Sequence, residues 1–136
     1  MATRKVNYLV LKVVNRPGKA VEVLGALAAG KVNLLAFTGF PDARGKSQLD
    51  LVTDDLAGAR RVAKKQGWKV GAAKRGFLTQ GKDSIGVVHR QIRALARQGI
   101  NVTAVDAVAA GRGRFGMILW VKPKDYARAA RALRAK

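Results

Sequence analysis

Two short segments of the sequence combine residue types suited to binding a small zwitterion. They are Asn15-Arg16-Pro17-Gly18 and Asp83-Ser84-Ile85-Gly86, and each places an amide or an acid three residues before a glycine, just ahead of a predicted helix. Free backbone N–H groups at a helix start attract a carboxylate. A neighbouring Asn or Asp oxygen can accept a hydrogen bond from an ammonium group. An amino acid carries both charges, so the two turns predict an amino-acid site.

The same turns have a purely structural interpretation. Asn and Asp are common N-caps, proline suits the first helical turn, and glycine permits tight packing. Helix capping by Asn15, and by Asp83 and Ser84, would by itself explain these residue types. Both interpretations stay open from the sequence.

Residues for catalysis or metal binding are few. His89 is the only histidine, and we expect it to be a structural or surface residue of a helix. There is no cysteine, and no carboxylates or histidines have the spacing of an acid–base pair or a metal site. The glycine-rich segment 111–116 lies between two predicted strands, so it is neither a P-loop nor a dinucleotide-binding turn. We therefore expect no enzyme activity, no metal and no cofactor.

The elements that position the two turns form one pattern that occurs twice. A shift of 68 residues aligns the halves of the chain without a gap, and predicts two tandem units, residues 1–74 and 75–136. The shift pairs polar and glycine positions: Asn15 with Asp83, Gly18 with Gly86, Asn33 with Asn101, and Arg44-Gly45 with Arg112-Gly113.

Each half predicts the element order βαββαβ. In the first half we expect strands at 6–14, 32–40, about 48–51 and 68–73, a helix that ends at Gly30, and a second helix at 56–66. In the second half we expect strands at 76–80, 100–108 and 115–121 and a closing helix at 125–135. Its first helix carries the apolar stripe Ile85, Val88, Ile92 and Leu95.

This order predicts an α+β fold with two ferredoxin-like units, each an antiparallel sheet with its helices on one face. The second unit lacks its last strand, since the chain ends after the closing helix. We expect the resulting bare sheet edge to be covered by pairing, and hence a homodimer or higher oligomer.

The segments 10–38 and 78–106 resemble the ACT domain. Each has a strand, then N-x-P-G or D-x-x-G, then an amphipathic helix ending at G-K-V-N or G-I-N-V, then another strand. The second segment departs from the family's pattern at Ile85, where proline is common. The resemblance implies paired, non-catalytic regulatory domains that bind amino acids at their interface. The implied ligand-binding residues are the two turns and the starts of the second strands: Asn15, Arg16, Pro17, Gly18, Asn33, Asp83, Ser84, Gly86 and Asn101.

The charge of the chain is strongly positive. There are 27 Lys and Arg against 8 Asp and Glu, a net charge of +19, and the last 68 residues carry +12 of it. Such a surface attracts polyanions, which can be a nucleic acid, an anionic membrane surface or an acidic protein partner, although the basic residues on the helices also fit a solvated outer face. An RNA-recognition alternative rests on the segment 112–117, which includes Phe115, and on Phe77 of a neighbouring strand.

We expect no membrane partner, because no apolar run approaches the roughly 20 residues of a membrane helix and the start of the chain is unlike a signal peptide. These observations favour a cytoplasmic regulatory protein that binds an amino acid and signals to a partner protein. The alternative is a protein that binds RNA or another polyanion.

Overall fold

The computed structural model describes residues 2–136, which form two compact units. The first unit is Asn7–Lys74. The second unit combines Arg75–Lys136 with residues 2–6 at the start of the chain. Strand β1 (Ala2–Val14) therefore contributes residues to both units.

The first unit is an antiparallel sheet with two helices. Its strand order is β2-β3-β1, and β3 pairs with both neighbours. The elements that follow β1 are α1 (Lys19–Ala29), β2 (Ala36–Pro41), β3 (Lys46–Val52) and α2 (Leu56–Gln66).

The second unit repeats this arrangement. Its strand order, beginning with residues 2–6, is β1-β4-β6-β5, and β6 pairs antiparallel with β4 and β5. The elements are β4 (Lys74–Lys82), α3 (Val87–Ala96), β5 (Val102–Gly111), β6 (Arg114–Val121), a 3-10 turn at Pro123–Asp125 and α4 (Tyr126–Ala132).

Each unit has its own hydrophobic core between its sheet and its two helices. Alternate residues of a strand face the same side of a sheet, which is why Leu9, Leu11 and Val13 of β1 and Phe115, Met117 and Leu119 of β6 lie on the core side. In the second unit, Phe77 stacks on Tyr126 of α4 with ring centroids 4.6 Å apart. The first core includes Leu9, Leu11, Leu49 and Leu51 from strands and Val23, Leu27 and Val62 from helices; the second includes Phe77, Phe115, Met117 and Leu119 from strands and Leu95, Ala129 and Leu133 from the helical segments.

These features confirm the predicted fold class. Both units are antiparallel α+β arrangements with the helices of each unit on one face of its sheet. No strand follows α4, as the sequence predicted.

The sheet edge beside β4 is nevertheless not bare, because residues 2–6 of β1 lie there. The buried hydroxyl groups of Thr3 and Thr79 are 2.7 Å apart and share a hydrogen bond. Lys136 donates its backbone N–H to Thr3 and accepts one from Lys5. The chain thus covers with its own first strand the edge that we expected a second copy to cover.

Three local predictions were wrong. Residues 68–73 form no strand. Trp68 follows the left-handed Gly67, and its backbone N–H donates to the carbonyl oxygen of Ala63 while its side chain packs against the first core. Strand β2 begins at Ala36 rather than at residue 32, because the chain first closes the end of α1.

The third error concerns the apolar stripe of α3. Ile85 is fully exposed, since the helix begins only after the left-handed Gly86 and Ile85 therefore lies outside it. Val87 is the buried residue of the first turn.

Candidate ligand-binding turns

The turn 15–18 of the first unit connects β1 to α1 and is exposed to solvent. Gly18 is the N-cap residue with φ 86°, and no side chain caps the helix. A positive φ is readily adopted by glycine and rarely by other residues, so the turn needs glycine here. The first turn of α1 keeps backbone N–H groups that no side chain occupies.

The turn 83–86 of the second unit has the same geometry. Gly86 is the N-cap residue of α3 with φ 80°, again without a side-chain cap. Capping by Asn15, Asp83 or Ser84 is therefore not what these side chains do, and the structural interpretation of the two turns was wrong in this respect.

A β-hairpin tip holds each turn from the side. The backbone N–H of Asn15 donates to the carbonyl oxygen of Gly45 over 2.8 Å, and that of Asp83 donates to Gly113 over 2.8 Å. The glycines lie in the β2–β3 and β5–β6 hairpin turns, and the residue before each of them is an arginine. Those residues are Arg44 and Arg112.

Sequence reasoning did not include these arginines among the site residues, although the repeat aligns them. Arg44 and Arg112 have φ of 61° and 54°, and the glycine after each is also left-handed. Two successive positive φ values are typical of a tight type I′ hairpin turn. Just before this turn, the carboxylate of Asp42 pairs with the ammonium group of Lys12. The hydrogen bond from Lys12, and to a smaller extent that from the backbone N–H of Ala43, holds the pKa of Asp42 below its usual range.

At the start of each of these helices, a side chain of the turn is bonded to a side chain of the helix, and the bonded positions match in the repeat. In the first unit, Arg16 Nη2 donates to Glu22 Oε1 over 2.8 Å, and Lys19 donates to the other oxygen over 3.1 Å. These two hydrogen bonds lower the pKa of Glu22. In the second unit, Arg90 donates to the hydroxyl of Ser84 over 2.8 Å. The side chains of Arg16 and Ser84 are thus already bound to their own helices.

The other two implied residues lie away from the turns within each unit. Asn33 and Asn101 are exposed and stand at the far ends of α1 and α3, just before β2 and β5. The 11-residue helix α1 is about 16 Å long at 1.5 Å per residue. The structure therefore does not bring Asn33 together with Asn15 inside the first unit.

A buried acid lies on the sheet face of the first unit that points away from the helices. Asp50 is 6% exposed, and its two carboxylate oxygens accept hydrogen bonds from Thr38 Oγ1 at 3.1 Å and Gln48 Nε2 at 2.9 Å. On the same face, burial and then the negative charge of Asp50 raise the pKa of Tyr8 to about 12. This polar cluster is absent from the second unit, where Ile118 stands at the repeat-matched position of Asp50.

Other kinds of site find little support. His89 is exposed on α3, and residues 2–136 contain no group of three acidic or histidine side chains that could hold a metal ion. Within the same range no helix is long and apolar enough to cross a membrane. A groove of about 340 Å³ in the second unit, lined in part by Gln91, Ala94 and Arg134, includes none of the turn residues.

The aromatic residues of the RNA-recognition alternative face the wrong way for stacking on bases. Phe115 is 4% exposed and Phe77 is fully buried, and both belong to the core beneath α3 and α4. An RNA-recognition sheet needs such rings on its open face, so this part of the alternative was wrong.

Comparisons with known proteins identify the fold. No protein-family model and no curated protein sequence matches the chain. Among solved structures, a protein from Bacteroides thetaiotaomicron superposes with a TM-score of 0.79 at 17% identity, covering 97% of this chain and 88% of that one. The ligand-free regulatory subunit of aspartate kinase from Thermus thermophilus has a TM-score of 0.67 at 16% identity, with 98% and 93% covered. The chain shares the fold of aspartate kinase regulatory subunits.

A second regulatory subunit of aspartate kinase, from Thermus flavus, gives a TM-score of 0.63 at 18% identity, with coverage of 98% and 95%. The regulatory subunits therefore match over nearly their whole length.

Proposed function

We propose that this chain is a non-catalytic, cytoplasmic regulatory protein of the ACT type that binds an amino acid and passes the signal to a partner protein. The observation that carries the proposal is the exposed, uncapped helix start beside Asn15 in the first unit and beside Asp83 in the second. Free N–H groups attract the ligand's carboxylate, and the Asn or Asp oxygen accepts from its ammonium group.

The proposed site residues are those of the two turns together with Asn33 and Asn101. Because Asn33 is remote from the turn of its own unit, its contribution requires a turn from elsewhere, which is consistent with ligand binding at an interface between domains. Arg44 and Arg112 precede the glycines that are bonded to the turns, and we propose that they supply a cation to a ligand with a second anionic group. The shared fold with regulatory subunits supports a role in regulation and a protein partner. We also propose that the chain forms a homodimer or higher oligomer; because residues 2–6 already cover the edge of β4, this proposal rests on the need of Asn33 for a turn from elsewhere.

A thermal-shift screen of the twenty amino acids tests the proposal. A ligand at about ten times its Kd stabilises the folded state by about 1.4 kcal/mol, which raises Tm by about 4 °C for a chain of this size. Asn15→Ala should abolish the shift from the first site and Asp83→Ala that from the second. Asn7→Ala is the matched control, because Asn7 is exposed on β1 outside the turns.

The proposal fails if no amino acid raises Tm. A shift that survives in the double variant of Asn15 and Asp83 would place the ligand elsewhere. Sedimentation with and without the active amino acid then measures whether binding changes the oligomeric state.

A further inference from the structure

The outer surface of α3, of α4 and of the residues just after each helix is rich in arginine. Neither α3 nor α4 contains an acidic residue. The two helices lie side by side in this unit, and Arg128 Nη1 donates to the carbonyl oxygen of Gln98, just beyond the end of α3, over 2.9 Å. Six exposed arginines, four on the helices and two just after them, define what we call the arginine face: Arg90, Arg93, Arg128 and Arg131, with Arg97 and Arg134.

Four of these arginines have no counter-charge in the part of the chain that the structure describes. Arg128 pairs with Asp125, and Arg90 is bound to Ser84. The side chains of the other four make neither an ion pair nor a hydrogen bond among residues 2–136: Arg93, Arg97, Arg131 and Arg134. Like charges three or four residues apart weaken a helix, so this arrangement does not serve the stability of the unit.

We propose that the arginine face binds the phosphate backbone of duplex nucleic acid, independently of base sequence. The second unit has 15 Lys and Arg against 3 Asp, a net charge of +12 on residues 2–6 and 75–136. Every cation of the face is arginine, whose planar guanidinium matches two phosphate oxygens at once. Arg90 and Arg97 are about 10 Å apart along the helix, so one face spans several phosphates.

Duplex nucleic acid fits this face better than two other polyanions do. A protein partner needs apolar or aromatic anchors, yet the exposed large apolar residues of the second unit are Ile85, Val105 and Val108, and none lies on α3 or α4. Single strands are held largely by stacking on aromatic rings, and Phe77, Phe115, Trp120 and Tyr126 of this unit are buried.

Binding of a fluorescein-labelled DNA duplex of about 20 base pairs, measured by anisotropy over a series of salt concentrations, tests the proposal. The variant with Arg93, Arg97, Arg131 and Arg134 all changed to Gln should bind about tenfold more weakly or worse, and its log–log salt slope should fall by about 3 to 4. The matched control changes Arg60, Arg61, Lys64 and Lys65 of α2 to Gln, which removes the same charge from the first unit. The control should keep most of the affinity and slope.

Several results would overturn the proposal. Equal losses in the two quadruple variants would mean that only net charge matters. Tighter binding of polyglutamate or of a single strand than of the duplex would assign the face to an acidic protein or to single strands. Absence of duplex binding at about 100 mM salt would also refute it. Thermal unfolding checks that the variants fold. If the quadruple arginine variant does not fold, the double variant R93Q/R131Q replaces it, and its salt slope should be lower by about 2.

Discussion

Asn15 is held by Gly45: its backbone N–H donates to the glycine carbonyl oxygen over 2.8 Å, and the repeat-matched pair Asp83 and Gly113 has the same bond at the same length. The two residues of each pair are 30 positions apart in the chain. Each bond ties the turn before a helix to the tip of a hairpin, and so fixes the candidate ligand-binding turn on two sides. The side chains of Asn15 and Asp83 stay exposed beside it.

Gly18 is required by the geometry of the first turn. An added Cβ at Gly18 would meet no atom within 4 Å, so Gly18→Ala acts through backbone strain alone, at φ 86°. We expect the free energy of unfolding to fall by about 1–2 kcal/mol, measured by urea titration. Gly25→Ala is the control: Gly25 lies in the middle of α1 with equal space around it, and alanine there should stabilise by about 0.5–1 kcal/mol. Equal effects of the two changes would contradict the left-handed turn.

Residues 2–6 should be integral to the second unit, as the buried Thr3–Thr79 hydrogen bond indicates. Thr79→Val leaves the hydroxyl of Thr3 buried without this partner, and we expect a loss of about 1–3 kcal/mol in the free energy of unfolding. The double change to Val at both positions should recover part of that loss. A double-mutant cycle with no coupling between the two positions would count against this placement of β1.

Tyr8 should titrate at unusually high pH, with a pKa of about 12. Because folding raises this pKa, the folded state is favoured below pH 10, and that contribution is lost as the pH rises from about 10 to 12. The absorbance of tyrosinate in a Tyr126→Phe background isolates Tyr8. Asp50→Asn removes the nearby negative charge and should lower the pKa of Tyr8, while burial keeps it above 10. An unchanged pKa of Tyr8 in that variant would show that the charge of Asp50 does not act on Tyr8.

Glu22 should titrate below the usual range, because Arg16 and Lys19 donate hydrogen bonds to its carboxylate. A lowered folded-state pKa stabilises the fold above the ordinary glutamate range, and this contribution is lost as the pH falls through the folded pKa. NMR of the Glu22 carboxyl carbon measures the titration. Arg16→Ala should move the pKa of Glu22 upward and Arg93→Ala, on α3 of the second unit, should leave it unchanged. A shift with both variants would indicate long-range charge rather than the hydrogen bond.

Much of the local structure was predictable. Helix α2 has the predicted bounds and is capped by Asp55, whose side chain accepts from Gly58 N–H. Its sequence combines a capping residue, an apolar period and a terminal glycine, and local physics alone is sufficient for such a segment. Ile85 was mispredicted because an apolar residue just before a helix fits the helical period, and only the left-handed Gly86 shows that the helix has not yet begun.

The sequence by itself determined the repeat, the order of the elements apart from the strand expected at 68–73, the two turns and the excess of positive charge, since each is carried by residue types at fixed spacing along the chain. The tertiary structure decided which residues those turns meet and which segment covers the edge of β4. A period of two places Phe115, Met117 and Leu119 on one face, but only the packing of α3 and α4 determines that this face is the core. Likewise, Gly45 beside Asn15 and Thr3 beside Thr79 are pairings between distant parts of the chain. Such pairings depend on how whole elements bury their apolar faces, and no local pattern encodes them.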